Sequence, residues 1–567
     1  MMLPLSLLAP LLVMVGAAVP WAWLRRSAAV LSPAAVLPAV VLTLTTPTAE
    51  LEVPWLLFGT VFRMDAVARP LVLIAAALYG AALAAVTWRR GPEPTLAAFL
   101  LATYLGTVGA YLAADTVAFY LSFAVLSFSA AGLVIHHRTP QAHRATVIYL
   151  VMTVLSETAL LGGLLLTVDA GGALLADAPA AIAASDRSAL ISALLLIGFG
   201  VKAGLAPLHL WLPLAHPAAP PAASAVLSGV MVKVGIVGWL RFLPAGDSAD
   251  IARLLLLLAL AGAFLAVGVG LMQDDPKVIL AYSTISQLGF ISAVLAAGLL
   301  MPSSSGATTT AVVLYAVHHG LAKGALFLGV PVVRRHGRGV TGIPVLLGMA
   351  WAGLSLAGAP WTSGAFAKYD AKYAVADLPA LAGLLPLVAT GSTLLLLRLA
   401  RVLWRGERAT EKVDGLFGAW LLLCLLGTGL PWWIGTGWLE LQPPTWDAAT
   451  LWDSTWPVLL ALLLAAPLTW LVGRVPAVPP GDIVVPLETA AGLLRSSGGA
   501  GLARVYTGTA QVARAWGRGW SRSAGLVRDG VAFMETRTRL WTPTGMAVLV
   551  LLAVLLLVLL FAGGWSP

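Results

Sequence analysis

Apolar runs, each closed by proline, glycine or clustered charge, fill most of this chain. A helix needs about 20 mainly apolar residues to cross a bilayer, and by that criterion the pattern predicts about sixteen spans. They cover residues 3–24, 28–46, 66–88, 95–113, 116–135, 145–167, 188–210, 222–243, 254–272, 278–300, 310–332, 344–374, 381–400, 416–433, 456–471 and 544–561. The twelfth run is too long for one straight helix and contains Gly358, Pro360 and Gly364, so a broken helix is expected there. The first charges, Arg25 and Arg26, follow the opening run. A secretory leader has the reverse order, so residues 3–24 read as a retained span.

Composition narrows the class. Of 567 residues, 59% are hydrophobic and 10% charged, against roughly 25% charged in soluble proteins. A water-soluble enzyme is excluded and an all-α polytopic membrane bundle is expected. Cys424 is the sole cysteine, so a four-cysteine iron–sulfur cluster cannot come from this chain alone. Gly268-x-Gly270 lies inside the ninth run with no strand before it, which is not a nucleotide fingerprint. No cofactor is expected.

The net charge of +9 is unevenly distributed. Connections after odd-numbered spans hold Arg25/Arg26, Arg89/Arg90, Arg138/Arg144, Arg334/Arg335/Arg338 and Arg401/Arg405/Arg408/Lys412. Those after even-numbered spans carry few, chiefly Arg187, Arg241 and Arg253, and several acids. The positive-inside rule puts odd-span exits in the cytoplasm of a prokaryotic inner membrane and both termini outside. Residues 476–567 open with Pro479 and Pro480 and then interleave arginines with Trp516, Trp520 and Phe533 before the last run. This segment reads as a basic amphipathic helix along the membrane face. No aromatic stacking module points to nucleic acid.

Charges at bilayer depth cost at least roughly 2.5–3.5 kcal/mol each and mark function. Here they are Glu157 in span 6, Lys202 in span 7, Lys233 in span 8, His318, His319 and Lys323 in span 11, and Lys368, Asp370 and Lys372 in span 12. Too few acids accompany the lysines for a set of structural ion pairs. A buried lysine can lose and regain its proton near neutral pH, and a nearby carboxylate switches that balance. A series of such groups is what a proton relay requires. Adjacent His318 and His319 point to different sides of a helix, which argues against a metal site. His209 and His216 fall near a membrane exit, as loop anchors or relay members.

Lys202 follows Gly200 and precedes Gly204 and Pro207, and Lys368 follows Pro360 and Gly364. Paired interrupted helices five spans apart point to two inverted repeats, spans 4–8 and 9–13. The expected organisation is N-terminal helices (1–90), a first repeat (91–250), a second repeat (251–405), peripheral helices 14–15 (406–475), and the basic segment with the last span (476–567).

The wording of these motifs resembles a known family. Val201–Pro213, Ala215-His216-Pro217, Ser224–Gly229 and Met231–Gly235, then Leu280–Phe290, His319–Leu328 and Thr362–Lys368, are similar to the antiporter-like subunits of respiratory complex I. Such subunits also occur in group 4 membrane hydrogenases and multisubunit cation/proton antiporters. The resemblance implies two inverted five-helix repeats, helices 7 and 12 broken, each repeat with a proton half-channel. It places Lys202, Lys233, Lys323 and Lys368 on relay positions and His319 on the histidine before the span 11 lysine. It also implies partner membrane subunits, which supply the driving force. The sequence departs from the pattern in span 5, where Ala124 occupies the position of the usual glutamate. The nearest acid at depth is Glu157, one span later. The leading expectation is a proton-translocating subunit of a complex I-like or hydrogenase-like oxidoreductase assembly, without a redox centre of its own. The alternatives are a subunit of a cation/proton antiporter or an inorganic-carbon uptake complex with a carbon-handling partner, and a scaffold with a defunct channel.

Overall fold

A computed structural model describes residues 2–54, 56, 59–88, 91–246, 249–472 and 479–481. Fifteen of the sixteen apolar runs become helices in it. Spans 1–6 are Met2–Ala18, Ala22–Thr45, Ala68–Thr87, Pro94–Leu112, Thr116–Val134 and Pro140–Asp169. Span 7 is Ser188–Ala203, followed after a break by Leu212–Ala218. Spans 8–11 are Pro221–Phe242, Ala249–Leu271, Pro276–Leu300 and Ser305–His336. Span 12 is Gly342–Ala357 plus Ser363–Ala374, and spans 13–15 are Pro379–Arg405, Gly415–Gly437 and Ala448–Val472. Thirteen helices among the described residues are long and apolar enough to cross a membrane; Met2–Ala18 and Ser188–Ala203 are shorter. The expected sixteenth span and nearly all of the basic segment lie outside the described residues.

Two features were not expected from hydropathy. Glu50–Val53 and Thr60–Arg63 pair antiparallel, with Glu50 opposite Arg63. Glu50–Val53 alternates polar and apolar residues, as a half-buried strand requires. Asp115 fastens this hairpin to the bundle. One carboxylate oxygen caps span 5 through the Ala118 amide at 2.7 Å, and the other accepts from the Val61 amide at 2.6 Å. Span 8 contains a π-helical stretch, Leu227–Met231, just before Lys233.

Spans 10 and 11 are enclosed on all sides, whereas spans 9, 12, 14 and 15 turn much of their surface outward. The enclosure depends on close backbone approach. A Cβ on Gly320 of span 11 would stand 2.7 Å from the Gly229 carbonyl oxygen of span 8, so only glycine lets those helices meet. Phe119, Phe123, Phe199 and Phe242 cluster between spans 5, 7 and 8, with Phe119 edge-on to Phe199 and Phe242 and Phe123 edge-on to Phe199.

Polar contacts sort the connections into two faces. Groups near odd-span exits bond to one another: His136 to Glu93 at 3.0 Å, Arg398 to Asp274 at 2.6 Å, and Arg335 to Glu411 at 2.6 Å and Asp414 at 2.8 Å. Groups near even-span exits do the same: Arg241 to Asp65 at 2.6 Å, Lys372 to Asp453 at 2.6 Å and Arg187 to Asp169 at 3.5 Å. None of these pairs joins the two sets, as strict alternation of span direction demands.

Candidate proton-relay site

The two breaks share one local design. Span 7 stops because Gly204 turns left-handed (φ 67°, ψ 34°), with the Gly204 amide bonded to the Val201 carbonyl and the Leu205 amide to Gly200. Span 12 stops at Gly358 (φ 84°, ψ 33°), with the Gly358 amide bonded to Ser355 and the Ala359 amide to Leu354. Each is a Schellman cap, which needs a residue free of a Cβ in the left-handed region. The lysines sit differently around the breaks. Lys202 lies just before its glycine. Lys368 lies in the second half-helix and folds back, donating to the Leu356 and Ala357 carbonyls at 3.0 and 2.7 Å. The negative end of the first half-helix thus receives its ammonium.

Lys202 is buried, 4% exposed. Its Nζ donates to the Tyr149 hydroxyl at 3.4 Å and faces the rings of Phe123 at 5.3 Å and Tyr149 at 5.8 Å. The Tyr149 hydroxyl in turn donates to the Ser127 carbonyl at 2.7 Å. Glu157 is also buried. Its carboxylate is within electrostatic range of Lys202 and beside Ser127, and neither oxygen has a direct hydrogen bond.

The second cluster joins spans 8, 11 and 12. Lys233 donates to the Ser228 carbonyl in the π-helical stretch at 2.6 Å, and Lys323 to the Leu280 carbonyl at 2.9 Å. The hydroxyls of Ser228 and Thr284 pair at 2.8 Å. His319 is fully buried, has no hydrogen-bond partner on either nitrogen, and is within electrostatic range of Lys233, Lys323, His318 and Lys368. No carboxylate among the described residues acts on these five bases. His318 Nδ1 stands 3.1 Å from the Ser363 hydroxyl.

The remaining candidates scatter. Buried His209 lies in the break after span 7, and His216 lies in the short helix that follows it, flat against Phe327 at 4.6 Å. Asp370 is half-buried with one carboxylate oxygen unpartnered. Lys372 is 41% exposed and paired with Asp453 on the rim of a pocket that reaches Lys368 between Gly358 and Trp446.

Residue-by-residue reading of the charges passed over several neutral groups that the fold gathers. Gln287 donates to the Ser392 hydroxyl at 2.6 Å and accepts from the Tyr315 hydroxyl, whose ring meets His318 edge-on. Ser363 continues this line to Ser355 at 3.0 Å. The available signal was polarity without charge inside apolar runs.

Residues 113–371 match the family described as NADH:quinone oxidoreductase/Mrp antiporter, transmembrane. This stretch contains every candidate residue except Lys372. Over residues 113–371, a little under half of its length, the chain is similar to that antiporter-like family. The chain is 33% identical over 287 residues to hydrogenase-4 component B of Escherichia coli, covering 47% of this chain and 42% of that one. It is 29% identical over 289 residues to a Na+/H+ antiporter subunit of Alkalihalophilus pseudofirmus, covering 48% of this chain and 57% of that one. The chain therefore spans about half the length of these relatives. Its fold matches that of a chain in the Mrp complex of Dietzia sp. (TM-score 0.69, 22% identity, 88% of this chain and 59% of that one). It also matches one in an archaeal membrane-bound sulfane sulfur reductase (TM-score 0.68, 22% identity, 95% of this chain and 100% of that one).

Proposed function

We propose that this antiporter-like subunit translocates protons within a complex I-like or hydrogenase-like oxidoreductase assembly. Glu157, Lys202, Lys233, His319, Lys323 and Lys368 form the relay. The observation that carries this reading is the central cluster of five bases without a carboxylate, Lys233, His318, His319 and Lys323 buried and Lys368 half-buried. Adjacent positive charges in a low-dielectric interior repel strongly, so the cluster shares protons among its members. A structural lysine would instead be fixed by an acid or snorkel to the surface. Each ammonium is held by backbone carbonyls or a hydroxyl, contacts that stabilise the charged form without locking it. Lys202 and Glu157 supply the switch in the first half, because a neighbouring negative charge determines how firmly a buried lysine keeps its proton.

The matching Schellman breaks support inverted repeats at 91–250 and 251–405, one half-channel to each. Span pairing agrees: span 4 packs on 5, and 7 on 8, as span 9 packs on 10, and 12 on 13. Arginine-rich odd-span exits support a cytoplasmic assignment for that face and termini outside. Outward apolar residues such as Leu257, Leu265, Ile343 and Leu463 supply surfaces for lipid and for partner membrane subunits. The pocket between Lys368 and the Lys372–Asp453 pair gives the relay an outlet on the opposite face.

The test is proton pumping in vesicles holding the complete assembly. Lys323→Ala, with normal subunit assembly, is expected to stop it; unchanged pumping would end the relay reading. Similarity to a Na+/H+ antiporter protein favours a second reading, in which the same groups serve cation/proton exchange. Neighbouring genes for redox subunits support the first reading, and their absence beside cation-exchange subunits supports the second.

A further inference from the structure

On the arginine-rich face, the connections after spans 3 and 5 bring together three titratable side chains that the relay does not use. His136 Nε2 is 3.0 Å from Glu93 Oε2, and the His136 and His137 rings meet edge-on at 5.4 Å, with His137 exposed. Glu93 and Arg335 line two cavities at once. The outer is a broad cleft bounded by Trp88, Glu411 and Asp414. The inner, of about 110 Å³, is bounded by His137, Pro220, Pro221 and Pro331. Its far wall is the start of span 8, a few residues beyond His216.

His216 is wholly buried and neither imidazole nitrogen has a hydrogen-bond partner. A buried polar group in that condition needs a functional account or a water. Its ring lies on Phe327, and Pro331 has no N–H to offer the Phe327 carbonyl four residues earlier. The Lys277 ammonium, bonded to the Ala219 carbonyl at 2.6 Å, is within electrostatic range of both His137 and His216. His216 is also within range of Lys323.

We propose that Glu93, His136 and His137 form a proton-collecting mouth that delivers protons through the inner cavity to His216 and on to Lys323. The proposal rests on the proton-translocation reading. An imidazole exchanges protons near neutral pH, and a carboxylate beside it attracts the incoming cation. A proton leaves a buffer acid in the outer cleft, whose conjugate base stays behind, and binds one imidazole nitrogen. His216 accepts a proton on one nitrogen and releases the proton of the other, ending as the second neutral tautomer. Water in the inner cavity spans the gap between the two sites. Arg335 and Lys277 flank the path and keep a second proton from accumulating.

The experiment measures initial proton uptake into vesicles holding the complete assembly with the arginine-rich face outward. A His136→Ala/His137→Ala pair and His216→Phe, which keeps the stacked ring, are each compared with Lys323→Ala. Loss of charge focusing and of carriers should slow uptake at least about tenfold in both. Added imidazole should restore uptake in the surface pair, which a purely structural role would not allow. If the alanine pair fails to assemble, Glu93→Gln with His137→Asn serves instead, and the same slowing and rescue are expected. Unchanged uptake, or slowing that imidazole does not reverse, overturns the mouth. If Lys323→Ala also leaves uptake intact, the relay itself is wrong; if Lys323→Ala alone stops it, only the mouth is.

Discussion

The Lys202 ammonium lies 5.3 Å from the centre of the Phe123 ring. An aromatic face thus meets the lysine from span 5, next to Ala124, where the family pattern has a glutamate. A ring face attracts a cation but cannot be titrated, so a switchable charge for Lys202 must come from another helix. The carboxylate that acts on Lys202 is Glu157 of span 6.

The first prediction follows from that exchange. Glu157→Gln should lower proton pumping by about tenfold or more, since one pKa unit at the partner is worth about 1.4 kcal/mol. Restoring an acid in span 5 with Ala124→Glu should recover part of the loss in the double variant. Pumping rates in vesicles, normalised to assembled subunit, decide the matter. A fully active Glu157→Gln would remove Glu157 from the relay.

Lys368 and Lys372 lie one helical turn apart but should behave differently. Lys372 is a half-exposed partner of Asp453, and exposed pairs contribute about 0–1 kcal/mol. Lys372→Ala should therefore leave stability and pumping nearly unchanged, while Lys368→Ala stops pumping. Equal loss in both would place Lys372 in the conduction path.

Gly320 tests the packing that holds spans 8 and 11 together. Gly320→Ala introduces a Cβ 2.7 Å from the Gly229 carbonyl oxygen and 3.2 Å from Ile74 Cδ1. Overpacking of this kind costs about 1–3 kcal/mol. The unfolding temperature in detergent should fall, and pumping with it, because Lys233 and Lys323 are carried by the same two helices.

Acid should loosen the connection after span 13. Its residues Ala409 and Glu411 bond through backbone amides to the Arg334 and Arg335 carbonyls, and Arg335 donates twice to the Glu411 carboxylate. That bond holds the Glu411 carboxyl below its ordinary value. A carboxyl so lowered contributes stability above its unfolded pKa and loses it as pH falls through the lower folded value. Hydrogen exchange of the Ala409 and Glu411 amides should accelerate on going from about pH 6 to pH 3 beyond the intrinsic change, and Arg335→Gln should remove that excess.

Hydropathy and punctuation in the chain determined the class, the positions of fifteen helices, their alternating direction, and the breaks at Gly204 and Gly358. Each depends on residues close in sequence: an apolar run long enough to cross, an arginine cluster at its end, a residue able to turn left-handed. The spacing of Lys202, Lys233, Lys323 and Lys368 was legible for the same reason, since each sits in a short motif. Only the tertiary structure decided what each buried charge touches. It set Phe123 and Tyr149 against Lys202, gave Lys368 the carbonyls of its own broken helix, and aligned Ser392, Gln287 and Tyr315 with His318. It also brought Glu93 to His136 across two loops and paired Glu50–Val53 with Thr60–Arg63. Partner choice in a packed bundle follows from side-chain direction and the closeness of neighbouring helices, such as the Gly229–Gly320 approach, and neither is encoded in any single segment.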